Sequence, residues 1–149
     1  MFVDECETRI REILSAVPVD CLQFHGDEAP EACEIYDKPY IKAIRMQGGV
    51  DVARLAVTYS GAAGLLLDAY HPGLKGGSGS CFDWDLIPES CAKPIILAGG
   101  LEPANVRQAV QAVRPYAVDV SSGVEIGKGI KDAGKMAEFI RIINEGDRS

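Results

Sequence analysis

The chain has 149 residues, the length of one domain with a buried core. Its hydrophobic content of 47% and charged content of 25% are ordinary for a globular protein. A net charge of −7 and a pI near 4.8 argue against nucleic acid or an anionic membrane as the main partner. No apolar run approaches the ~20 residues of a membrane span, and the N-terminus shows no signal-peptide pattern, so we expect a cytoplasmic protein.

The five cysteines predict neither a disulfide framework nor a zinc site. Their number is odd, they are scattered along the chain, and none forms a CxxC pair. We therefore expect most of them to be reduced and structural, and we expect no metal.

The first half of the chain alternates short apolar runs with amphipathic segments. Apolar residues at helical spacing predict helices, and short apolar runs bounded by glycine or polar residues predict strands. The predicted strands cover 2–4, 21–26 and 40–45, and the predicted helices cover 8–17, 30–36 and 50–59.

The second half repeats this rhythm. Strands are predicted over 64–67, 94–98 and 116–120, with a long glycine-rich loop after the first of them. Helices are predicted over 103–113 and 132–143, with Pro103 in the first turn, where proline is permitted.

An acid follows one of these apolar runs. Residues 65–67 are typical of a buried parallel strand, so Asp68 stands at its carboxyl end, where α/β folds carry out chemistry. The loop behind it contains Gly76, Gly77 and Gly79, whose backbone N–H groups can approach a phosphate. An acid beside an anion-binding loop predicts an enzyme that acts on a phosphorylated small molecule.

Strands that alternate with helices predict a parallel sheet, either open and doubly wound or closed as a barrel. An open sheet gathers its functional strand ends at one switch point, whereas a barrel uses the ends of many strands. Here polar or glycine-rich residues end four strands, at 23–26, 68, 99–100 and 121–123. We therefore expect one (β/α) barrel domain of the TIM type over residues 1–149, incomplete because a whole barrel takes about 200 residues or more.

These strand ends resemble those of the phosphoribosylanthranilate isomerase family of tryptophan biosynthesis. The similarity extends along the whole chain in the family's order, which makes it specific. It is carried by residues 22–28 (LQFHGDE), 41–45 (IKAIR), 65–68 (LLLD), 76–79 (GGSG) with 82–84 (FDW), 97–101 (LAGGL) with Pro103 and 105–106, and 118–125 (VDVSSGVE).

The resemblance implies a (β/α)₈ barrel that performs an Amadori rearrangement without metal or organic cofactor. N-(5-phosphoribosyl)anthranilate becomes 1-(2-carboxyphenylamino)-1-deoxyribulose 5-phosphate. An acid protonates the ribose ring oxygen, and a base then removes the proton from C2 of the sugar. The resemblance assigns the acid to Asp68, a role that needs partial burial and few neighbouring cations.

The family's base is a cysteine at the end of its first strand. Relative to the family pattern, this chain corresponds to about strands 3 to 8 of eight and lacks about the first 60 residues, which carry that cysteine. None of Cys6, Cys21, Cys33, Cys81 and Cys91 is expected to replace it. The activity of the chain by itself is therefore an open question.

Phosphate binding is assigned to the turns after the last two strands. Barrels of this kind bind phosphate there, and the resemblance includes Gly99, Gly100, Ser121, Ser122 and Gly123. The alternative is that these residues only form tight turns.

Two further charged residues have alternative roles. Arg45, at a strand end, attracts the anthranilate carboxylate or pairs with Asp68. Asp119 points away from the face of its apolar neighbours, and it contacts the substrate or pairs with a lysine such as Lys42.

Gln23 and His25 share one strand face and are expected to act together on the substrate. For His25 the alternative is a strand-end histidine that binds a loop. Gly76, Gly77 and Gly79 are expected to be hinge and turn residues of a loop that folds over the substrate.

Two other functions compete with the isomerase. The first is a non-catalytic partial barrel that binds a phosphorylated ligand or a complementing chain. The second is indoleglycerol-phosphate synthase, a related barrel that relies on strand-end lysines, which the strand ends here do not offer. Unpaired strand edges near Phe2 and Val120 also predict self-association.

Overall fold

The computed structural model describes residues 1–69 and 82–146. Helices and strands alternate through these ranges, as the βα rhythm of the sequence predicts. In chain order the elements are α1 Glu7–Ala16, β1 Leu22–Phe24, α2 Pro30–Glu34, β2 Tyr40–Met46, α3 Val52–Thr58, β3 Gly64–Ala69, a 3₁₀ turn Trp84–Leu86, β4 Ile95–Leu97, α4 Val106–Val113, β5 Ala117–Val118, a 3₁₀ turn Ser122–Val124, β6 Glu125–Gly127, β7 Ile130–Lys131 and α5 Ala133–Gly146.

The first five strands form one parallel sheet in the order β1-β2-β3-β4-β5. Phe2 adds an isolated parallel bridge to Phe24 on the outer side of β1. Because the spatial order follows the chain order, the described sheet has no point at which the strand order reverses. Strands β6 and β7 form a separate antiparallel pair.

One face of the sheet packs against the helices. Large side chains of β1 to β4, among them Phe24, Leu65, Leu67 and Leu97, are almost fully buried there. Three clusters cover this outer face: α1 and α2 pack on β1, α3 packs on β2 and β3, and α4 and α5 pack on β4.

The opposite, inner face carries smaller side chains. Ala43, Leu66 and Ala98 are buried together, with Ile41 and Ile96 against them. Burial on both faces explains why residues 65–67 are apolar without alternation, as parallel strands covered on both sides require.

The predicted α/β class is confirmed, and the helices and strands of the sheet lie close to their predicted positions. The prediction that Pro103 lies in the first turn of a helix is wrong, since α4 begins only at Val106 and Pro103 lies in the turn before it. Predicted helix 50–59 begins at Val52 because the Asp51 carboxylate caps it by accepting from the Arg54 N–H. The predicted strand at 2–4 is reduced to the bridge at Phe2.

The β6–β7 hairpin was not predicted, although Lys128-Gly129 between its strands is a turn signal, with Gly129 at a φ of +79°. Within residues 1–69 and 82–146, no helix is long and apolar enough to cross a membrane.

Candidate active site

Polar residues gather where the inner face meets the carboxyl ends of the strands. Arg45 and Asp68 are register partners on β2 and β3, so their side chains leave the sheet on the same side. Gln23 is the register partner of Ile41, which places it and His25 on this side too. Four of the predicted site residues are therefore brought together.

His25 joins two of these side chains. Its Nε2 lies 3.2 Å from Asp68 Oδ2, and its Nδ1 lies 3.4 Å from Gln23 Nε2. A neutral imidazole with its proton on Nε2 satisfies both contacts, since it donates to the carboxylate and accepts from the amide. The side chains of His25 and Asp68 are only 19% and 15% exposed, so this chain of contacts is sheltered yet open to a ligand.

Of the two alternatives for Arg45, the pairing with Asp68 is not observed. The Arg45 Nη2 donates to the His25 carbonyl at 2.9 Å, and its Nη1 lies 3.9 Å from Asp27 Oδ1. The guanidinium reaches across to the loop after β1 instead of to its register partner. Asp68 therefore faces an imidazole and not a fixed cation.

Asp119 lies just after β5 and is exposed. Its neighbours Val118 and Val120 pack against the outer cluster, so Asp119 lies on the opposite face from them, as predicted, and on the same side as Asp68. The alternative in which Asp119 pairs with Lys42 is excluded, because Lys42 lies on the outer face, where its Nζ is 3.1 Å from Glu28 Oε2.

The turns after β4 and β5 touch each other and the end of β3. Gly99 has a φ of +81°, and a Cβ there would lie 2.2 Å from the Ala69 nitrogen. A Cβ on Gly123 would lie 1.8 Å from the Leu101 carbonyl oxygen. Only glycine permits these approaches, so the predicted phosphate turns are built as one surface beside Asp68.

A surface network holds the second of these turns. Lys131 Nζ donates to the Ser121 carbonyl and to Glu125 Oε1, both at 2.7 Å. The Gly129 N–H also donates to the Glu125 carboxylate. The hydrogen bonds from Lys131 and Gly129 lower the pKa of Glu125. The hairpin that the sequence analysis missed thus supports the Ser121–Gly123 turn.

The four described cysteines are remote from this cluster. Cys6 precedes α1 and Cys21 precedes β1, both exposed, while Cys91 packs behind β2 and β3. Cys33 is buried in α2, and burial raises the pKa of its thiol to about 11. None stands at the carboxyl end of a strand, and Cys81 lies outside the described residues.

The predicted loop glycines Gly76, Gly77 and Gly79 also lie outside the described residues. Among the residues described, no group of three or more His, Cys, Asp or Glu side chains is placed to hold a metal ion.

Glu28 and Lys42 lie beside the site, and the sequence did not predict that they form an ion pair. A lysine in the middle of an apolar strand was the available signal, because buried charges need partners. Its partner lies 14 residues away in the loop after β1, which no spacing rule indicates.

The strand ends of this parallel sheet carry His25, Asp68 and two glycine turns. This arrangement is that of the class of α/β enzymes whose active site is built from βα turns. The family model described as N-(5'phosphoribosyl)anthranilate (PRA) isomerase matches residues 1–142. The chain therefore belongs to the phosphoribosylanthranilate isomerase family.

Individual relatives agree with this membership. The N-(5'-phosphoribosyl)anthranilate isomerase of Pseudomonas fluorescens (strain SBW25) is 55% identical over 143 residues, which cover 96% of this chain and 68% of the relative. The crystal structure of phosphoribosyl anthranilate isomerase from Thermotoga maritima superposes with a TM-score of 0.80 at 36% identity, covering 97% of this chain and 71% of that one.

A third similar structure contains a ligand. It is a phosphoribosyl anthranilate isomerase in complex with reduced 1-(o-carboxyphenylamino)-1-deoxyribulose 5-phosphate. Its TM-score is 0.75 at 34% identity, and the match covers 97% of this chain and 69% of that one.

Proposed function

We propose that this chain provides the acid and the phosphate-binding turns of a phosphoribosylanthranilate isomerase. The reaction is the rearrangement of N-(5-phosphoribosyl)anthranilate to 1-(2-carboxyphenylamino)-1-deoxyribulose 5-phosphate. The observation that carries the proposal is the position of Asp68 at the carboxyl end of β3, sheltered and in contact with His25, in a chain of this family.

Asp68 acts as the general acid. Ring opening needs a proton on the ribose ring oxygen, and a carboxyl group at the mouth of the sheet is within reach of a sugar bound there. His25 and Gln23 orient that carboxyl group through the contacts at 3.2 Å and 3.4 Å. Arg45, 34% exposed at the same side, is available to the anthranilate carboxylate.

The phosphate binds at the two touching glycine turns. Gly99 and Gly100 on one side, and Ser121, Ser122 and Gly123 on the other, form the surface next to the end of β3. Peptide N–H groups of tight turns are suited to phosphate. Asp119, exposed just after β5 on the same side of the sheet as Asp68, faces the sugar hydroxyls.

The sheet is part of a (β/α) barrel. Sequential parallel order without reversal is the order of a barrel wall, and right-handed crossovers then place every helix on one face. The inner cluster of Ala43, Leu66 and Ala98, with Ile41 and Ile96 against it, combines side chains from three neighbouring strands, as the layered interior of a barrel does.

A complementation assay tests the proposal. Conversion is followed by the loss of substrate anthranilate fluorescence, with the chain alone and with a peptide that supplies the first strands of the Pseudomonas fluorescens relative. We expect activity in the mixture, because the peptide contributes the cysteine that the family resemblance assigns as the base. The Asp68→Asn chain in the same mixture is the control for contamination.

Two outcomes contradict the proposal. Activity of the mixture that survives Asp68→Asn removes Asp68 from the acid role. A mixture that is inactive, although it binds the reduced product analogue, makes the chain a ligand-binding protein and not part of a catalyst.

We also propose that the chain self-associates when alone. In the described residues β1 and β5 are the terminal strands of the sheet, and such edges pair with other chains. Sedimentation velocity over a range of concentrations is expected to show species larger than the monomer. A monomer at every concentration, with one sharp unfolding transition, contradicts this expectation.

A further inference from the structure

The loop after β1 is anchored at four consecutive backbone groups. The His25 N–H donates to the Phe2 carbonyl at 2.8 Å, and the His25 carbonyl accepts from Arg45 Nη2 at 2.9 Å. The Gly26 N–H donates to Glu28 Oε2 at 2.9 Å, and the Gly26 carbonyl accepts from Lys42 Nζ at 2.6 Å. Both polar backbone groups of His25 and both of Gly26 are therefore hydrogen-bonded, and these bonds hold in place the backbone that carries the His25 ring.

Two of these four anchors come from one buried ion pair. The side chains of Lys42 and Glu28 are 3% and 7% exposed, and their charged atoms lie 3.1 Å apart. Lys42 Nζ also lies 5.6 Å from the centre of the Tyr59 ring, and the Tyr59 hydroxyl donates to the Glu28 carbonyl. Glu28 Oε1 accepts from the Asp4 N–H as well, which ties the N-terminal turn to the same pair.

Stability alone is a poor explanation for this pair. Burying two charges costs desolvation free energy that their attraction often fails to offset, and apolar replacements are frequently as stable. The pair lies among the apolar outer clusters, where the other outer-face residues of β2, Tyr40, Ile44 and Met46, are hydrophobic. What an apolar pair does not supply is a donor to the Gly26 carbonyl and an acceptor for the Gly26 N–H.

We propose that the Lys42–Glu28 pair is a positioning unit that fixes both peptide groups of Gly26 and thereby holds the His25 ring against Asp68. The pair lies on the outer face and reaches the inner face only through the backbone of the loop. Gly26 suits this role because a Cβ there would lie 2.5 Å from the Asp4 nitrogen, so the loop packs directly on the N-terminal turn. The inference rests on the proposed function where it treats His25 and Asp68 as active-site groups.

The test follows the His25 ring N–H by ¹H–¹⁵N NMR of the full chain at neutral pH. The chain has two histidines, so Asp68→Asn and His71→Gln assign the signal. The main variant is Lys42→Met with Glu28→Gln, which removes both charges and leaves neither unpaired. The matched control is Arg9→Met with Glu12→Gln, an exposed pair at 2.9 Å on α1.

We expect the Nε2 proton to exchange with water roughly tenfold faster in the Lys42→Met, Glu28→Gln chain, as for the loss of about one hydrogen bond. The control chain keeps the wild-type exchange rate. An unchanged rate in the folded double variant overturns the proposal, as does a wild-type signal that does not respond to Asp68→Asn.

Circular dichroism shows whether the double variant folds. If it does not, Lys42→Arg decides, because the guanidinium fork keeps the charge pair with Glu28 but draws the donors away from the Gly26 carbonyl. Faster exchange in that variant supports the proposal, and unchanged exchange overturns it. Since the NMR measurement needs no turnover, an inactive complemented mixture together with the expected exchange pattern contradicts the proposed function and leaves this inference standing.

Discussion

The two faces of the parallel sheet differ in what they carry. The outer face buries large side chains such as Leu65, Leu67 and Leu97 against the helices, and each of these three is 0% exposed. The inner face buries a small cluster around Ala43, Leu66 and Ala98 and then ends in polar residues. Most of the apolar surface that stabilises the fold therefore lies on one face, and the polar residues proposed for the active site lie on the other.

This division explains why the acid can be polar and sheltered at once. The short inner side chains leave Asp68 and His25 at the rim, with 15% and 19% of their side chains exposed. The Lys42–Glu28 pair is the exception, because it places charge on the outer face. It acts on the inner face only through the loop after β1, so it joins the two regions.

The largest expected effect is on turnover, from a change at the inner rim. Asp68→Asn keeps the shape of the side chain but cannot donate a proton as a carboxylic acid does. We expect kcat of the complemented enzyme to fall by a factor on the order of 10² to 10⁴ with the fold intact. Asp20→Asn, an exposed carboxylate before β1, is the matched control and is expected to have no effect.

Steady-state kinetics together with circular dichroism check this prediction. A turnover within a few-fold of wild type removes Asp68 from the acid role.

Substitutions of two neighbouring leucines compare how much each face of the sheet contributes to the free energy of unfolding. Leu67 lies on the outer face at 0% exposed, and Leu66 lies on the inner face at 4%. Leu67→Ala is expected to cost about 3–4 kcal/mol of unfolding free energy, and Leu66→Ala about 2 kcal/mol, since its small neighbours make fewer contacts with it. Urea unfolding measures both, and equal losses mean that the two faces stabilise the fold alike.

The order of the helices and of the strands in the parallel sheet was predictable, because apolar residues at helical spacing indicate the helices and short apolar runs indicate the strands. The β6–β7 hairpin was not predicted. Asp68 was also predictable, since an acid after a continuous apolar run marks the mouth of a buried strand. The same-side grouping of Gln23, His25 and Asp68 follows from alternation along strands in a parallel sheet.

The partners of the long charged side chains were not predictable. Arg45 and Asp68 are adjacent in register, yet the flexible arginine reaches the His25 carbonyl in a loop whose position depends on the whole fold. Alternation does separate Lys42 from Asp119, because the two lie on opposite faces of the sheet. That rule excludes the predicted pairing, but it does not identify Glu28 as the partner.

A smaller effect is expected at the phosphate turns. Ser122→Asp places a carboxylate in the Ser121–Gly123 turn, whose Gly123 touches Leu101, and there it repels a phosphate. We expect KM of the complemented enzyme to rise about tenfold while kcat changes little, because like charges oppose binding and leave the acid in place. Ser90→Asp, in an exposed loop before β4, is the matched control.

Kinetics at two salt concentrations extend this test, since salt screens the repulsion between the new carboxylate and the phosphate. A change in kcat with KM unchanged assigns the turn to orientation of the acid and contradicts phosphate binding.

The smallest expected effect is on the outer face and depends on pH. Burial raises the pKa of the Cys33 thiol from 9.0 to about 11, so the folded chain binds this proton more tightly than the unfolded chain does. The resulting stabilisation is complete below pH 9 and is lost as the pH rises through 11. Tyr36 and Tyr59 in the same region also have pKa values raised by burial and add to the alkaline loss.

Cys33→Ala isolates the contribution of the thiol. At pH 10 the wild-type chain is expected to have lost about 1 kcal/mol more unfolding free energy, relative to pH 8, than the Cys33→Ala chain has. Cys6→Ala, at an exposed thiol, is the control and is expected to follow the wild-type pH dependence. Parallel curves for wild type and Cys33→Ala contradict the raised pKa, and they mean that the outer face admits a thiolate as readily as water does.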